Sequence, residues 1–148
     1  MYPVPHKLTP PAGDPETMPA GVLAEAVYEQ GSAWPPTISA DPERARLIRH
    51  VRRVACFKEL ERQIAFEGIG GALSNTNPHD LRDALDCCAA IDRPDLVELL
   101  ERAKDCDEED AGETMHAEWE AAVEANDYEP ALNQYLLQNF RDIFETPE

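Results

Sequence analysis

Residues 41–66 read DPERARLIRHVRRVACFKELERQIAF. Asp41 is a residue type that caps a helix, Pro42 suits the first helical position, and Glu43 puts a negative charge in the first turn. Ile48, Val51, Ala55 and Ile64 then recur at helical spacing, and Val54, Phe57 and Leu60 widen the apolar stripe. This pattern predicts a central, well-buried helix that ends near Phe66. Gly68, Gly70 and Gly71 follow, and they predict a break with a sharp bend or a close helix contact. They form no phosphate loop, because no Lys-Ser/Thr follows and no strand pattern precedes them.

Downstream, Asn77-Pro78 opens a helix with Leu81, Ala84, Leu85 and Cys88 on one face. Asp92-Arg93-Pro94 ends it and starts another, Asp95 to Lys104, carrying Leu96, Val97, Leu99 and Leu100. A further helix is predicted from about Ala111 to Ala125. Pro130 opens the last, where Leu132, Tyr135, Leu136, Asn139, Phe140 and Ile143 keep a helical period. Upstream, nine of the thirteen prolines fall in residues 1–42. They bracket one short helix, Pro19 to Gln30, with Val22, Leu23, Ala26 and Val27 as its apolar patch. Pro3–Pro15 and Trp34–Pro36 read as extended arm, strapped over the body by Trp34 and Ile38. No alternating strand pattern occurs. The expected fold is all-α: a single compact domain of five or six helices over 41–148, with a Pro-rich arm over 1–40. The helix pair Leu81 to Ala103 looks like an ankyrin unit, but it is not repeated, which excludes a solenoid.

Charge is distributed unevenly along this frame. The net charge is −17, of which residues 1–42 contribute −4, residues 43–66 contribute +4 and residues 67–148 contribute −17. The arginines of the basic segment are expected to pair with acids of the second half. Residues 105–129, DCDEEDAGETMHAEWEAAVEANDYE, hold eleven carboxylates and no Lys or Arg. They are not tail-like, because Met115, Trp119, Ala122 and Val123 follow a helical period. Glu113, Glu120, Glu124 and Asp127 fall within about 60° of one another, opposite that stripe. With Asp105, Asp107, Glu108, Glu109 and Asp110 they make the candidate binding surface. A fixed field of this sign repels nucleic acid and anionic membranes and draws basic protein surfaces.

The chain offers few residues for chemistry. Glu113-Thr-Met-His116 has the spacing of a helical metal ligand pair, but a di-iron bundle needs a second copy and two further acids. The default for His116 is a solvated side chain beside acids. His50 and Cys56 are the one nucleophile–base pairing to weigh, against the commoner use of Cys as a small core residue. Cys87-Cys88 reads as one buried and one half-exposed thiol. Four cysteines without CxxC spacing and no visible secretory signal favour a reduced, cytoplasmic protein. No catalytic set, cofactor or metal site is expected, and no apolar run approaches a membrane span.

From Gln63 to Asn75 the chain resembles the signature Glu-Ile-x-Asn-Gly-Gly-Phe-x-Gln-Phe-Phe-x-Asn. Ile64, Gly68 and Asn75 match it, and Ile69 and Leu73 stand for two of its Phe residues. Gln63, Phe66, Glu67, Gly71 and Ala72 depart from it. The signature belongs to a family of small proteins, a domain of unknown function that includes an acidic DNA mimic. The helices around Leu85–Ile91 and Leu96–Leu100 are similar to the family's next segment, and the tail with Leu132, Tyr135, Leu136, Asn139 and Phe144 to its ending. The resemblance, over about residues 45–145, implies an all-helical fold and, for a DNA-mimic member, occupation of a DNA-binding protein's basic surface.

The expected function is therefore an acidic protein-binding module. One reading is a DNA mimic that covers the basic DNA-binding surface of a protein such as a transcription factor. B-DNA carries a phosphate about every 3.4 Å per strand. On an unbroken α-helix Glu120 and Glu124 stand about 6 Å apart along the axis, and Glu113 about 10 Å from Glu120. The alternative is an immunity or inhibitor protein over a basic toxin or nuclease site. A third is an acidic helical protein whose charge serves solubility alone. The expected partner is a basic protein, with no direct nucleic-acid or membrane contact and a homodimer left open.

Overall fold

The computed structural model of the chain describes residues 6–36, 40–106 and 111–146. Among the described residues a 3-10 turn, Pro15–Thr17, precedes seven α-helices. They are α1 (Val22–Gly31), α2 (Pro42–Asn75), α3 (Pro78–Ala90), α4 (Pro94–Asp105), α5 (His116–Ala125), α6 (Glu129–Gln138) and α7 (Phe140–Ile143). A π-turn, Ala111–Met115, leads into α5. The described residues form no sheet, only one parallel bridge between Leu8 and Phe144. The molecule is a single all-α domain.

The helix starts lie where the sequence places them. Asp41 accepts the Glu43 amide at 3.1 Å, Asn77 accepts the Asp80 amide at 2.9 Å, and proline stands in the first turn of α2, α3, α4 and α6. Each proline lacks the N–H that a helix start would leave unsatisfied. The α3–α4 turn is closed by Asp92, the one non-glycine residue at positive φ (60°) among the described residues, and by the Arg93 amide donating to the Cys88 carbonyl at 2.9 Å.

α2 is the axis of the fold, and α1, α3, α4, α5 and α7 all pack on it. Leu47, Ile48, Val51, Val54, Ala55, Phe57, Leu60 and Ile64 are buried along it. Its first segment ends where expected, just past Phe66. At Gly68 (φ 81°, ψ 164°) the backbone kinks and then resumes a helix to Asn75. Such angles are essentially confined to glycine, and burial of Ile69, Ala72 and Leu73 keeps the second segment on the core. Gly68 therefore breaks the helix with a sharp bend, as expected, and a second helical segment follows it. The kink leaves Phe66 88% exposed, the large apolar side chain most open to solvent among those described.

α1 crosses α2 where neither helix has room for a larger residue. A Cβ at Gly31 would stand 2.2 Å from Val51 Cγ1. The arm before α1 is fixed near the start of its described length. The Leu8 amide donates to the Ile143 carbonyl and the Glu145 amide to the Leu8 carbonyl, each at 2.8 Å. The Gln30 carboxamide bonds both backbone groups of Thr9 at 2.9 Å. Trp34 is partly buried against the core, and its carbonyl accepts Arg52 Nη1 at 2.6 Å. Ile38, the other expected strap residue, lies outside the described residues.

Arg52 carries the expected pairing of basic segment with acidic half. Buried on α2, it donates to Asp83 and Asp80 of α3 at 2.7 Å each. The expectation holds less generally: Arg62 donates to Tyr28, and Lys58 pairs within α2 with Glu61. Two further expectations are corrected by packing. Cys87 and Cys88 are both buried, because α3 is covered by α2 and α4 on adjacent sides. The last helix is interrupted at Asn139 (φ −110°, ψ 17°), whose side-chain amide donates back to the Tyr135 carbonyl at 2.8 Å and divides α6 from α7.

Candidate protein-binding site: the acidic face of α4 and α5

α5 is held by one large apolar side chain. Trp119 is 5% exposed, whereas Met115, Ala122 and Val123 are only partly buried. A single anchor fixes the position of a short helix but does little for its ends. The C-terminal end has no basic residue in its last turn, so its carbonyls lack a partner on α5 itself. Arg93, from the α3–α4 turn, supplies it.

The Arg93 side chain is buried. Its Nε and Nη2 clasp both Asp95 oxygens at 2.9 Å. Nη1 donates to the Asn126 carbonyl at 2.5 Å and Nη2 also reaches the Ala122 carbonyl at 3.3 Å. A planar fork is the cation shape that can serve a carboxylate and a helix terminus together. The Arg93 hydrogen bonds, outweighing burial, hold the Asp95 carboxyl below its ordinary value. Arg102 forms a second tie, with Nη2 3.4 Å from Glu118 on α5 and Nε 3.9 Å from Glu98 on its own helix.

The exposed carboxylates are arranged around these ties. Asp105 is exposed at the end of α4, and Glu120 and Glu124 are exposed on α5. Glu113 is exposed in the π-turn rather than on an α-helix. The π-turn's wider i→i+5 bonding shifts Glu113 out of phase with Glu120, so the expected unbroken α-helical row from Ala111 is corrected here. Asp127 lies beyond the helix end at Asn126, and its Oδ1 accepts the Glu129 amide at 3.0 Å. It starts α6 rather than continuing the row. Glu120 has a partner, His116 Nε2 at 2.6 Å, which draws His116 away from the Glu113 pairing that its spacing suggested. Asp107, Glu108, Glu109 and Asp110 lie outside the described residues.

α4 adds carboxylates that were not singled out from the sequence. These are Glu98 and Glu101, which with the already expected Asp105 fall at i, i+3 and i+7; all three are exposed, and α4 packs against α5. The surface is thus a helix pair. The signal is present in the spacing of Glu98 and Glu101 ahead of Asp105, outside the lysine-free run.

Burial pushes the Cys56 thiol up to about 12 and the Cys88 thiol up to about 12, and raises Cys87 well above the ordinary value. Thiols held neutral in this way are poor nucleophiles. His50 Nδ1 is bonded to the Tyr135 hydroxyl at 2.5 Å, not to Cys56. Among the described residues no three His, Cys, Asp or Glu side chains converge as a metal site, and no helix is long and apolar enough to cross a membrane.

A family model described as DMP19-like protein matches residues 45–146, from the first turn of α2 to the end of the described chain. The chain belongs to the DMP19-like protein family. No curated protein and no solved structure matches it significantly. In this DMP19-like chain the matched segment contains the α2 kink, the Arg93 clasp and the whole α4–α5 face, and it leaves out α1 and the arm.

Proposed function

We propose that the chain is an acidic protein-binding module without catalytic activity, a DNA mimic whose α4–α5 face occupies the basic DNA-binding surface of a DNA-binding protein. The observation that carries this reading is a set of exposed carboxylates on two packed helices, with the acidic helix fixed by Trp119 and by a buried arginine. A helix already held in place can present its carboxylates to a basic surface without ordering a segment of backbone at binding. Membership of the DMP19-like family supports it, as does the resemblance to a family that includes an acidic DNA mimic.

The experiment is capture of the partner from the source cell, followed by competition with duplex DNA. On this proposal the captured protein binds DNA, and the chain displaces the duplex from it. A captured toxin or nuclease without a displaced duplex would establish the inhibitor reading in its place.

A further inference from the structure

Arg46, Arg49 and Arg53 fall at i, i+3 and i+7 on α2, so they leave one face of that helix within about 10 Å of its length. Arg46 and Arg49 are exposed, and Arg53 is half-buried. All three face the His50 ring, whose Nδ1 meets the Tyr135 hydroxyl of α6 at 2.5 Å and whose Nε2 lies 3.8 Å from Asp142 of α7. Burial lowers the His50 pKa most, Asp142 raises it in part, and each arginine lowers it again. Three positive fields therefore overlap at one place on the surface.

Nothing else in the chain is arranged like this. Thirty acids stand against thirteen Lys and Arg, and the two arginines buried outright, Arg52 and Arg93, each clasp carboxylates. Among the described residues Arg46, Arg49 and Arg53 form no ion pair with a carboxylate, and Asp142, the one acid facing the same ring, is turned to His50. Arg53 has a further deficit, because its Nε is buried and meets no acceptor. A buried donor without an acceptor is costly, and like charges three and four residues apart on a helix repel. A multivalent anion laid along the row relieves both, since the long Arg53 side chain can turn its Nε–H towards it.

We propose that the Arg46–Arg49–Arg53 row is a binding site for a small oxyanion carrying two phosphoryl groups, either free diphosphate or the diphosphate of a nucleotide. The planar guanidinium fork matches phosphate oxygens in pairs, and three forks offer more donors than the terminal oxygens of one phosphoryl group can accept. The ligand is small because the net charge of −17 repels a long polyanion, whose phosphates run past the row into the acidic surroundings. A compact anion meets chiefly the local field, within a Debye length of about 8 Å at physiological ionic strength. The site uses no residue of the α4–α5 face and does not rest on the reading of that face.

The deciding experiment is calorimetric titration of the whole chain with inorganic diphosphate at about 50 mM salt, paired with NMR of the arginine side chains. Saturable binding with a dissociation constant below about 1 mM is expected, together with a shift of the Arg53 Nε–H signal. Arg49→Gln, at an exposed position, is expected to weaken binding about tenfold or more. Arg82→Gln removes the same charge from an exposed position on α3 and is expected to change it less than about twofold. Adenosine diphosphate bound as tightly as diphosphate assigns the site to the diphosphate group alone, and tighter binding assigns it to a nucleotide; either supports the proposal. It is overturned by an absence of saturation up to about 10 mM diphosphate, by equal weakening in the two variants, or by an unmoved Arg53 signal. Tighter binding of a duplex oligonucleotide through the same arginines overturns it as well.

Discussion

Arg93 answers Asp95 with one edge of its guanidinium and the carbonyls at the end of α5 with the other. Replacing it with Met removes both contacts while keeping an apolar stem in place. Asp95 is half-exposed and returns to water, so the loss is mainly that of the donors to the Ala122 and Asn126 carbonyls. The expected destabilisation is about 2 kcal/mol, measured by urea unfolding. The pair's contribution has a defined pH range. With the folded Asp95 pKa depressed, the stability is present above the ordinary carboxylate range and is lost as the pH falls through the folded value. The Arg93→Met difference should therefore shrink in acid. None of this is legible in the sequence, because the Ala122 and Asn126 carbonyls lie 29 and 33 residues from Arg93 and backbone groups carry no side-chain signal.

The elements were more legible than their joints. Proline and a capping residue specify a helix start through local geometry, which is why Asp41-Pro42 and Asn77-Pro78 read correctly. Gly68 announced a bend, but whether helix resumes after it depends on burying Ile69, Ala72 and Leu73 against residues far away in the chain. The interruption at Asn139 comes with a local bond from its side-chain amide back to the Tyr135 carbonyl. On α5 the two faces have separable roles, and substitutions should separate them. Changing Glu113, Glu120 and Glu124 together to Gln should leave thermal stability nearly unchanged. It relieves Glu120–Glu124 repulsion of about 0.2–0.5 kcal/mol and removes a His116–Glu120 pair of similar size. Trp119→Ala should lower stability by about 3–5 kcal/mol through the cavity it leaves. If the glutamine variant unfolds as readily as Trp119→Ala, the acidic face is part of the packing and not a surface held out for a partner.

At the scale of the molecule, a net charge of −17 on 148 residues acts on the fold and on the proposed complex in opposite directions. Self-repulsion opposes the compact state, and salt screens it beyond a Debye length of about 8 Å at physiological ionic strength. The isolated chain should therefore melt at a higher temperature in about 500 mM salt than in about 50 mM. A contact between the acidic face and a basic surface should weaken over the same range. The charge asymmetry that makes this prediction was plain in the sequence; the contribution of α4 to the surface was not. The most direct measurement is displacement of duplex DNA from the captured partner by the native chain and by the Glu113, Glu120 and Glu124 glutamine variant, at both salt concentrations. The account predicts that the native chain displaces the duplex in low salt and that the folded variant needs over tenfold more protein. Equal displacement by the two proteins would contradict it.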